Sequence, residues 1–399
     1  MNCFCSTDFL IPENCDMEKW ATIACDQYTA QPEYWKTVRE FIGDCPSTLH
    51  TFFPEAELAV AGKNGYQIYG ENMTDYLNRG ILREYPNSYI YVKRTLNNGD
   101  IRNGILGVID LERYDYEPKE STKIFATEAT VLQRVPPRVE LRKDAPLEFS
   151  HTVIFCDDPN MELIEPLENK CGQFENLYAF DLMFGGGRIC GYRIDGKEAE
   201  ELEERIRAYE VNNMYLVGDG NHSLVTAKLT YEALKRTNPD TDWCCHPARY
   251  AMVELENIHQ SAMRFEPIYR IAICAEPQAL IKDFGEMDDP DGVGIIWIRG
   301  NEEGTVRLHV DDGELPIEAL QRFLDQWITA NSCVIDYIHG ADSVKQLAQE
   351  PNTVGFLLPN MDKRILFPYI LSGKVMPRKS FSIGHATEKR YYLEGRKIK

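Results

Sequence analysis

Between Tyr215 and Lys228 the chain passes from an apolar run to a polar corner to a helical pattern with no spacer between them. Met214 to Val217 reads as a strand. Gly218-Asp219-Gly220-Asn221-His222-Ser223 reads as a tight corner, and Leu224, Val225, Ala227, Leu229, Ala233 and Leu234 mark the apolar side of a helix. Any fold that accepts this stretch must bring a strand end directly against a helix start. The two glycines permit backbone angles that other residues avoid, and Asp219, Asn221 and Ser223 are residues that cap helices. The unpaired N–H groups of a helix start attract anions. A carboxylate and an imidazole share this corner, which a simple chain reversal does not require. The plainer reading also stands: Asp-Gly and Gly-Asn are common turn dipeptides, and His222 then satisfies a buried carbonyl.

A length of 399 residues allows two or three domains and a large core. The formal net charge of −20 favours solubility and opposes binding to nucleic acid and anionic membranes. An anionic ligand therefore needs a local basic pocket. The N-terminal residues lack the pattern of a signal peptide, and no apolar run reaches membrane-spanning length, so a cytoplasmic location is expected. Twelve cysteines are scattered without paired zinc-site spacing. They are expected to be free thiols, and no metal ligand from protein is assigned.

No repeat is visible. Residues 8–60 read as short helices broken by Pro12, Pro32, Pro46 and Pro54. Asn97-Asn98-Gly99-Asp100 between two apolar runs predicts a hairpin. Strands are expected at Thr152–Cys156 and Tyr250–Leu255, and a helix over Glu198–Val211. After Pro267 the pattern predicts a helix, a hairpin, a helix over Pro316–Ala330, a strand, a helix from Ser343 and a strand over Val354–Leu358. Strands and helices mix without strict alternation, which indicates an α+β class with largely antiparallel sheets. The expected division is a core of residues 1–266, carrying an N-terminal extension, and a C-terminal α+β region of residues 267–399 that folds separately or packs back on that core.

A second block, Thr127-Glu128-Ala129-Thr130 followed by Arg134, Pro136-Pro137, Arg138 and Arg142, concentrates arginines in an acidic chain. The prolines predict a stiff, non-helical segment, and arginines fixed on it suit bidentate binding of phosphate or carboxylate. The other reading is a solvated strip paired with Glu140 and Glu148. Gly185-Gly186-Gly187-Arg188 lacks the ending of a P-loop and reads as a hairpin turn. Met376-Pro377-Arg378-Lys379-Ser380 either closes over an anion or forms an exposed basic tail.

These blocks together resemble the DUF1015 family, cytosolic proteins related to free serine kinases of the ParB/sulfiredoxin-like fold. The family's Asp-Gly-His-His-Arg is similar to Asp219-Gly220-Asn221-His222-Ser223. Its Glu-His-Thr-Arg-Pro block is similar to Glu128-Ala129-Thr130-Val131-Leu132 with Arg134 and Arg138, and its Phe-x-Pro-Ile-His-Arg to Phe265-Glu266-Pro267-Ile268-Tyr269-Arg270. Its Met-Pro-x-Lys-Ser resembles Met376–Ser380. The resemblance implies a ParB/sulfiredoxin-like nucleotide-binding core. Gly218, Gly220, Asn221, Ser223, Thr130, Arg134, Arg138 and Lys379 would then contact phosphate, with Glu128, Asp219 and His222 as catalytic residues. Two departures bear on this: Asn221 does not titrate near neutrality, and Ser223 lacks the charge of the usual Arg, leaving Arg134, Arg138 or Lys379 to supply it.

The resulting expectation is a kinase using ADP or ATP with Mg²⁺ to phosphorylate a small hydroxylated metabolite, by default free L-serine. The alternative is a non-catalytic nucleotide-binding switch of ParB-like type. A sulfiredoxin-like thiol enzyme would need a cysteine at the loop, and Cys190 or Cys156 would have to approach from elsewhere. Oligomeric state is left open.

Overall fold

The computed structural model describes residues 2–29, 31–57, 66–117, 122–128, 135–377 and 379–399. They form two compact units, Met1–Met263 with Ala386–Lys399, and Arg264–His385.

The main elements of the first unit are, in chain order, β1 (Thr7–Pro12), α1 (Pro32–Ile42), α2 (Gln67–Asn78), β2 (Leu82–Thr95), β3 (Ile101–Asp110), α3 (Pro136–Asp144) and β4 (Thr152–Cys156). They continue with β5 (Glu175–Asp181), β6 (Arg188–Ile194), α4 (Gly196–Asn212), β7 (Tyr215–Asp219), α5 (Asn221–Thr237) and β8 (Tyr250–Asn257). An 11-stranded sheet runs β5-β6-β2-β3-β8-β4-β7 and ends on the short strands Ile124–Phe125 and Tyr114–Asp115. Phe4–Cys5 and β1 add to β3 and β2. β8 is parallel to β4, and β7 to Ile124–Phe125, while the long neighbouring strands are otherwise antiparallel.

Alternation along the strands decides the layers. Ile90, Val92, Leu106, Ile189 and Met252 join a core containing Trp20, Trp35, Phe149, Tyr391 and Tyr392. Their neighbours Tyr89, Tyr91, Ile105, Val253 and Leu255 join a second core with α4 and α5. α4 turns Ala199, Leu202 and Ile206 inward, the spacing of one helical face. Burying Leu202 or Ile206 stabilises the unit by about 1.5–3 kcal/mol each. The predicted hairpin is the β2–β3 turn, where Leu96 N donates to Asp100 O at 2.9 Å and Gly99 takes φ +85°.

Two local expectations are corrected. Pro136-Pro137 do not prevent a helix: they open α3 at its first positions, where the missing N–H groups have no intrahelical acceptor to lose. Arg138 and Arg142 therefore stand on a helix and not on a stiff loop. Residues 8–60 are not simply helical either, because Pro12 ends β1 and Thr22–Ile23 is a strand paired with Tyr391–Tyr392.

The second unit contains β9 (Phe265–Cys274), α6 (Pro277–Gly285), β10 (Val293–Arg299), β11 (Glu302–Leu308), α7 (Pro316–Ala330), β12 (Cys333–His339), α8 (Ala341–Leu347), β13 (Thr353–Leu357), α9 (Leu366–Leu371) and β14 (Phe381–Ile383). Its sheet runs β11-β10-β13-β9-β12, with β14 also on β9, and every pairing is antiparallel. The chain is thus α+β with largely antiparallel sheets. No described helix is long and apolar enough to cross a membrane.

Candidate functional site

The corner at 218–223 turns β7 into α5 through two glycines with different tasks. A Cβ at Gly218 would lie 2.5 Å from the Phe155 ring, so this position is small because β4 packs on it. A register shift between Val217 and Asp219 marks the same point. Gly220 has φ +94°, in the left-handed region that costs a side-chained residue. Gly220 is also the N-cap and has no side chain to cap with, so, contrary to expectation, neither Asp219, Asn221 nor Ser223 stands at the N-cap position. The N–H groups of Asn221, His222 and Ser223 thus begin a 17-residue helix behind a glycine. The amide oxygen of Asn221 is buried with no partner among the described residues. His222 is half-buried, and its carbonyl accepts from Thr226 Oγ1 at 2.7 Å.

Thr127 Oγ1 donates to Val217 O at 2.7 Å, tying the second sequence block to the end of β7. Ile124–Phe125 runs parallel to β7 with Phe125 opposite Leu216, and Glu128 directly follows the tethered Thr127. The structure therefore brings Glu128 to the same sheet end as the corner. Thr130 and Arg134 lie outside the described residues.

Asp219 faces a residue that no sequence pattern indicated. Arg390 Nη1 lies 2.6 Å from Asp219 Oδ2, and Arg390 Nη2 lies 3.6 Å from Asp26 Oδ1. The guanidinium side chain is 1 % exposed. Burial alone would depress its pKa, but Asp219 and Asp26 hold it well above the ordinary arginine value. Arg390 is delivered by the C-terminal segment, whose carbonyls are gripped from β2 and β3. Arg94 donates to Thr387 O at 2.8 Å, Glu388 O at 3.1 Å, Lys389 O at 2.6 Å and Gly186 O at 2.8 Å. Arg102 Nη1 also reaches Glu388 O, at 3.1 Å. Burial lowers Arg94 to about 10; backbone oxygens satisfy its donors in place of a carboxylate.

Beneath this latch, Glu254 and Glu256 project from the same face of β8. Glu256 pairs with Arg102 Nε at 3.1 Å, and both side chains are buried. Burial pushes Glu256 up to about 8, with Glu254 adding to the rise and Arg102 opposing it. Burial also pushes Glu254 upward, yet His151, 3.3 Å away, with Arg102 and Arg94, holds it below the usual value. Gly104 makes room for this pair, since a Cβ there would come 2.4 Å from Glu254 Oε1.

A cavity of about 90 Å³ separates the start of α5 from α3. Ser223 and Thr226 line one side, Arg138 and Arg142 the other, with Cys25, Glu55 and Tyr392 between. Such a volume accommodates several waters or a small metabolite. Arg138 forms an ion pair with Glu55, and Arg142 with Glu148, which also meets Arg396 at 2.5 Å. Glu140 instead pairs with Lys143. Arg138 and Arg142 are thus largely buried, each paired with an acid, and do not form a solvated strip. Cys25 accepts from the Tyr392 hydroxyl at 3.4 Å, and burial followed by Asp26 raises its pKa. Cys156 is fully buried in β4 with its Sγ on Glu256 O, so it does not serve as the approaching thiol.

The structure therefore gathers Gly218, Asp219, Gly220, Asn221, His222 and Ser223 at one corner, with Glu128 at the same sheet end and Arg138 across the cavity from Ser223. Lys379 belongs to the other unit, where it is exposed with φ +56° and its carbonyl accepts from Arg270 Nη1 at 2.8 Å. Sequence reasoning missed Arg390, Arg94, Arg102 and the Glu254–Glu256 pair. Only the last left a trace, two acids at alternate positions of an apolar strand. Among the described residues no group of three His, Cys, Asp or Glu side chains is arranged to hold a metal ion.

Similarity to solved structures is remote. A conserved hypothetical protein from Pyrococcus furiosus is 10 % identical, with 72 % of this chain and 90 % of that one covered and a TM-score of 0.35. SbnI with a C-terminal truncation, from Staphylococcus aureus, is 11 % identical over 72 % and 85 % of the two chains, with a TM-score of 0.38. A free serine kinase variant in complex with ADP is 10 % identical over 73 % and 91 %, with a TM-score of 0.40. No curated protein matches. The model of the family described as protein of unknown function (DUF1015) matches residues 12–327, and the chain belongs to that family.

Proposed function

We propose that the first unit is a nucleotide-dependent phosphotransferase of ParB/sulfiredoxin-like type that acts in the cytoplasm on a small hydroxylated metabolite, with free L-serine the default acceptor. The observation that carries this reading is the glycine-led start of α5 at the end of β7. Its N–H groups follow directly on Asp219 and open at Ser223 onto a cavity that Arg138 also lines. The positive helix end favours phosphate at this place.

In this reading Gly218 and Gly220 shape the loop, while Asn221, His222 and Ser223 meet the phosphates of ADP or ATP. Thr130, Arg134 and Arg138 are the further phosphate contacts. The buried oxygen of Asn221, without a partner among the described residues, suits a donor such as the ammonium of an amino acid. Arg390 fixes the Asp219 carboxylate, and Glu128 accepts the proton of the acceptor hydroxyl. Mg²⁺ would arrive largely held by the nucleotide, since it needs few protein carboxylates when phosphates and water complete its shell. Bound there, it would neutralise charge on the phosphates.

Thermal unfolding with ADP or ATP, with and without Mg²⁺, tests the binding half. A nucleotide at a hundredfold excess over its Kd stabilises by about 2.7 kcal/mol, and Asp219→Ala should weaken the effect. Phosphate transfer to L-serine, compared with Glu128→Gln, tests the chemistry. No stabilisation by either nucleotide would overturn the reading.

A further inference from the structure

The second unit carries an unassigned pair of thiols. β9 and β12 are antiparallel, and their register sets Cys274 directly opposite Cys333. The N–H of Cys274 is spent on Asn352 O, at 2.8 Å, on the side away from β12. The two cysteines thus occupy a non-hydrogen-bonded position of the β9–β12 ladder. Opposite Cα atoms at such positions are about 4.5 Å apart and the side chains approach closely, inside the ~4.4–6.8 Å span of a disulfide. The thiols already lie within hydrogen-bond contact of each other. Among the described residues no other two cysteines face each other in a strand register.

We propose that Cys274 and Cys333 form a reversible cross-strand disulfide when the protein meets a peroxide. The two sulfurs are unequally placed. Cys274 is 3 % exposed, whereas Cys333 is half-buried at the start of the sheet's edge strand. Cys333 is therefore the thiol an oxidant reaches first, and Cys274 is the resolving thiol. The Cys333 thiolate attacks one oxygen of hydrogen peroxide and the O–O bond breaks; the departing hydroxide takes a proton and leaves as water. The Cys274 sulfur then attacks the sulfenic sulfur. The S–S bond forms, the S–O bond breaks, and the second oxygen leaves as water with the Cys274 proton. Two thiols are oxidised and one peroxide is reduced to two waters. Burial raises both thiol pKa values, so the reaction is slow compared with that of a low-pKa sensor cysteine. The bond would pin β12 to β9 and enclose α6, β10, β11 and α7 in a covalent loop.

The test uses the full-length folded protein. After incubation with hydrogen peroxide, remaining thiols are blocked with N-ethylmaleimide and the protein is digested for mass spectrometry. The expected product is the Cys274 and Cys333 peptides joined, lighter than their sum by two hydrogens and separated again by dithiothreitol. In Cys333→Ser, Cys274 should remain open to alkylation after the same treatment. Hydrogen exchange should show slower exchange of β12 amides in the oxidised wild type only. Oxidation of both cysteines singly, or their persistence as thiols while exposed Cys244 and Cys245 oxidise, would overturn the proposal.

Discussion

Replacing Arg390 by methionine isolates the electrostatic role of the C-terminal segment, because methionine fills similar space without charge. The wild-type guanidinium side chain is 1 % exposed, while Asp219 and Asp26 retain 19 % and 32 % exposure. Removing one partner of a buried ion pair costs about 3–5 kcal/mol. Here both carboxylates keep access to water, so the lower end applies and the expected loss is about 3 kcal/mol. Since 1.36 kcal/mol is a factor of ten, amide protection should fall about a hundredfold. Hydrogen exchange on peptides covering β7 and α5 is the suitable assay, because two compact units need not unfold in one transition. Asp219→Asn should cost less alone. The double variant should lose about 1–2 kcal/mol less than the sum of the two single losses, as residues in direct contact do. Strict additivity, or a loss under about 1 kcal/mol in Arg390→Met, would refute the claim that this pair holds the corner.

Two further outcomes follow from the same geometry. Glu256 has a folded pKa raised from 4.5 to about 8, so its contribution to stability is fully present below the unfolded pKa and is lost as pH rises through about 8. Urea titrations of Glu256→Gln between pH 5.5 and 8.5 should show a shallower decline than wild type, and an unchanged slope would exclude Glu256 as its source. Gly218→Ala would drive a Cβ to 2.5 Å from the Phe155 ring, and overpacking of this kind costs about 1–3 kcal/mol. A wild-type urea midpoint in that variant would mean that the ring yields freely.

Much of the local structure was legible because its causes are local. The Asn97–Asp100 turn, the helix Pro316–Ala330 and the strand-corner-helix at 215–237 each follow from residue pattern and turn chemistry within a short window. The same local reasoning misjudged α3. Two adjacent prolines exclude a helix interior but not its first turn, and nothing in the neighbouring residues says which of these the chain will use. The arginine block was visible as charge and Glu148 was named as one partner, but Glu55 was not, and the pairing of each arginine was not. Glu55 and Glu148 reach Arg138 and Arg142 through packing.

From sequence alone came the α+β class, the family resemblance, and the corner that joins β7 to α5, since glycine spacing, apolar periodicity and motif order are written along one stretch of chain. Tertiary structure alone decided which charges meet. Arg390 sits 171 positions beyond Asp219 in the chain, yet Arg94 and Arg102 hold the carbonyls preceding it so that its guanidinium reaches the corner. The same holds for Cys274 and Cys333, which become opposite neighbours only through strand register. A buried ion pair or a facing pair of thiols depends on distance in space, and distance in space is set by how the sheets close, which no local pattern records.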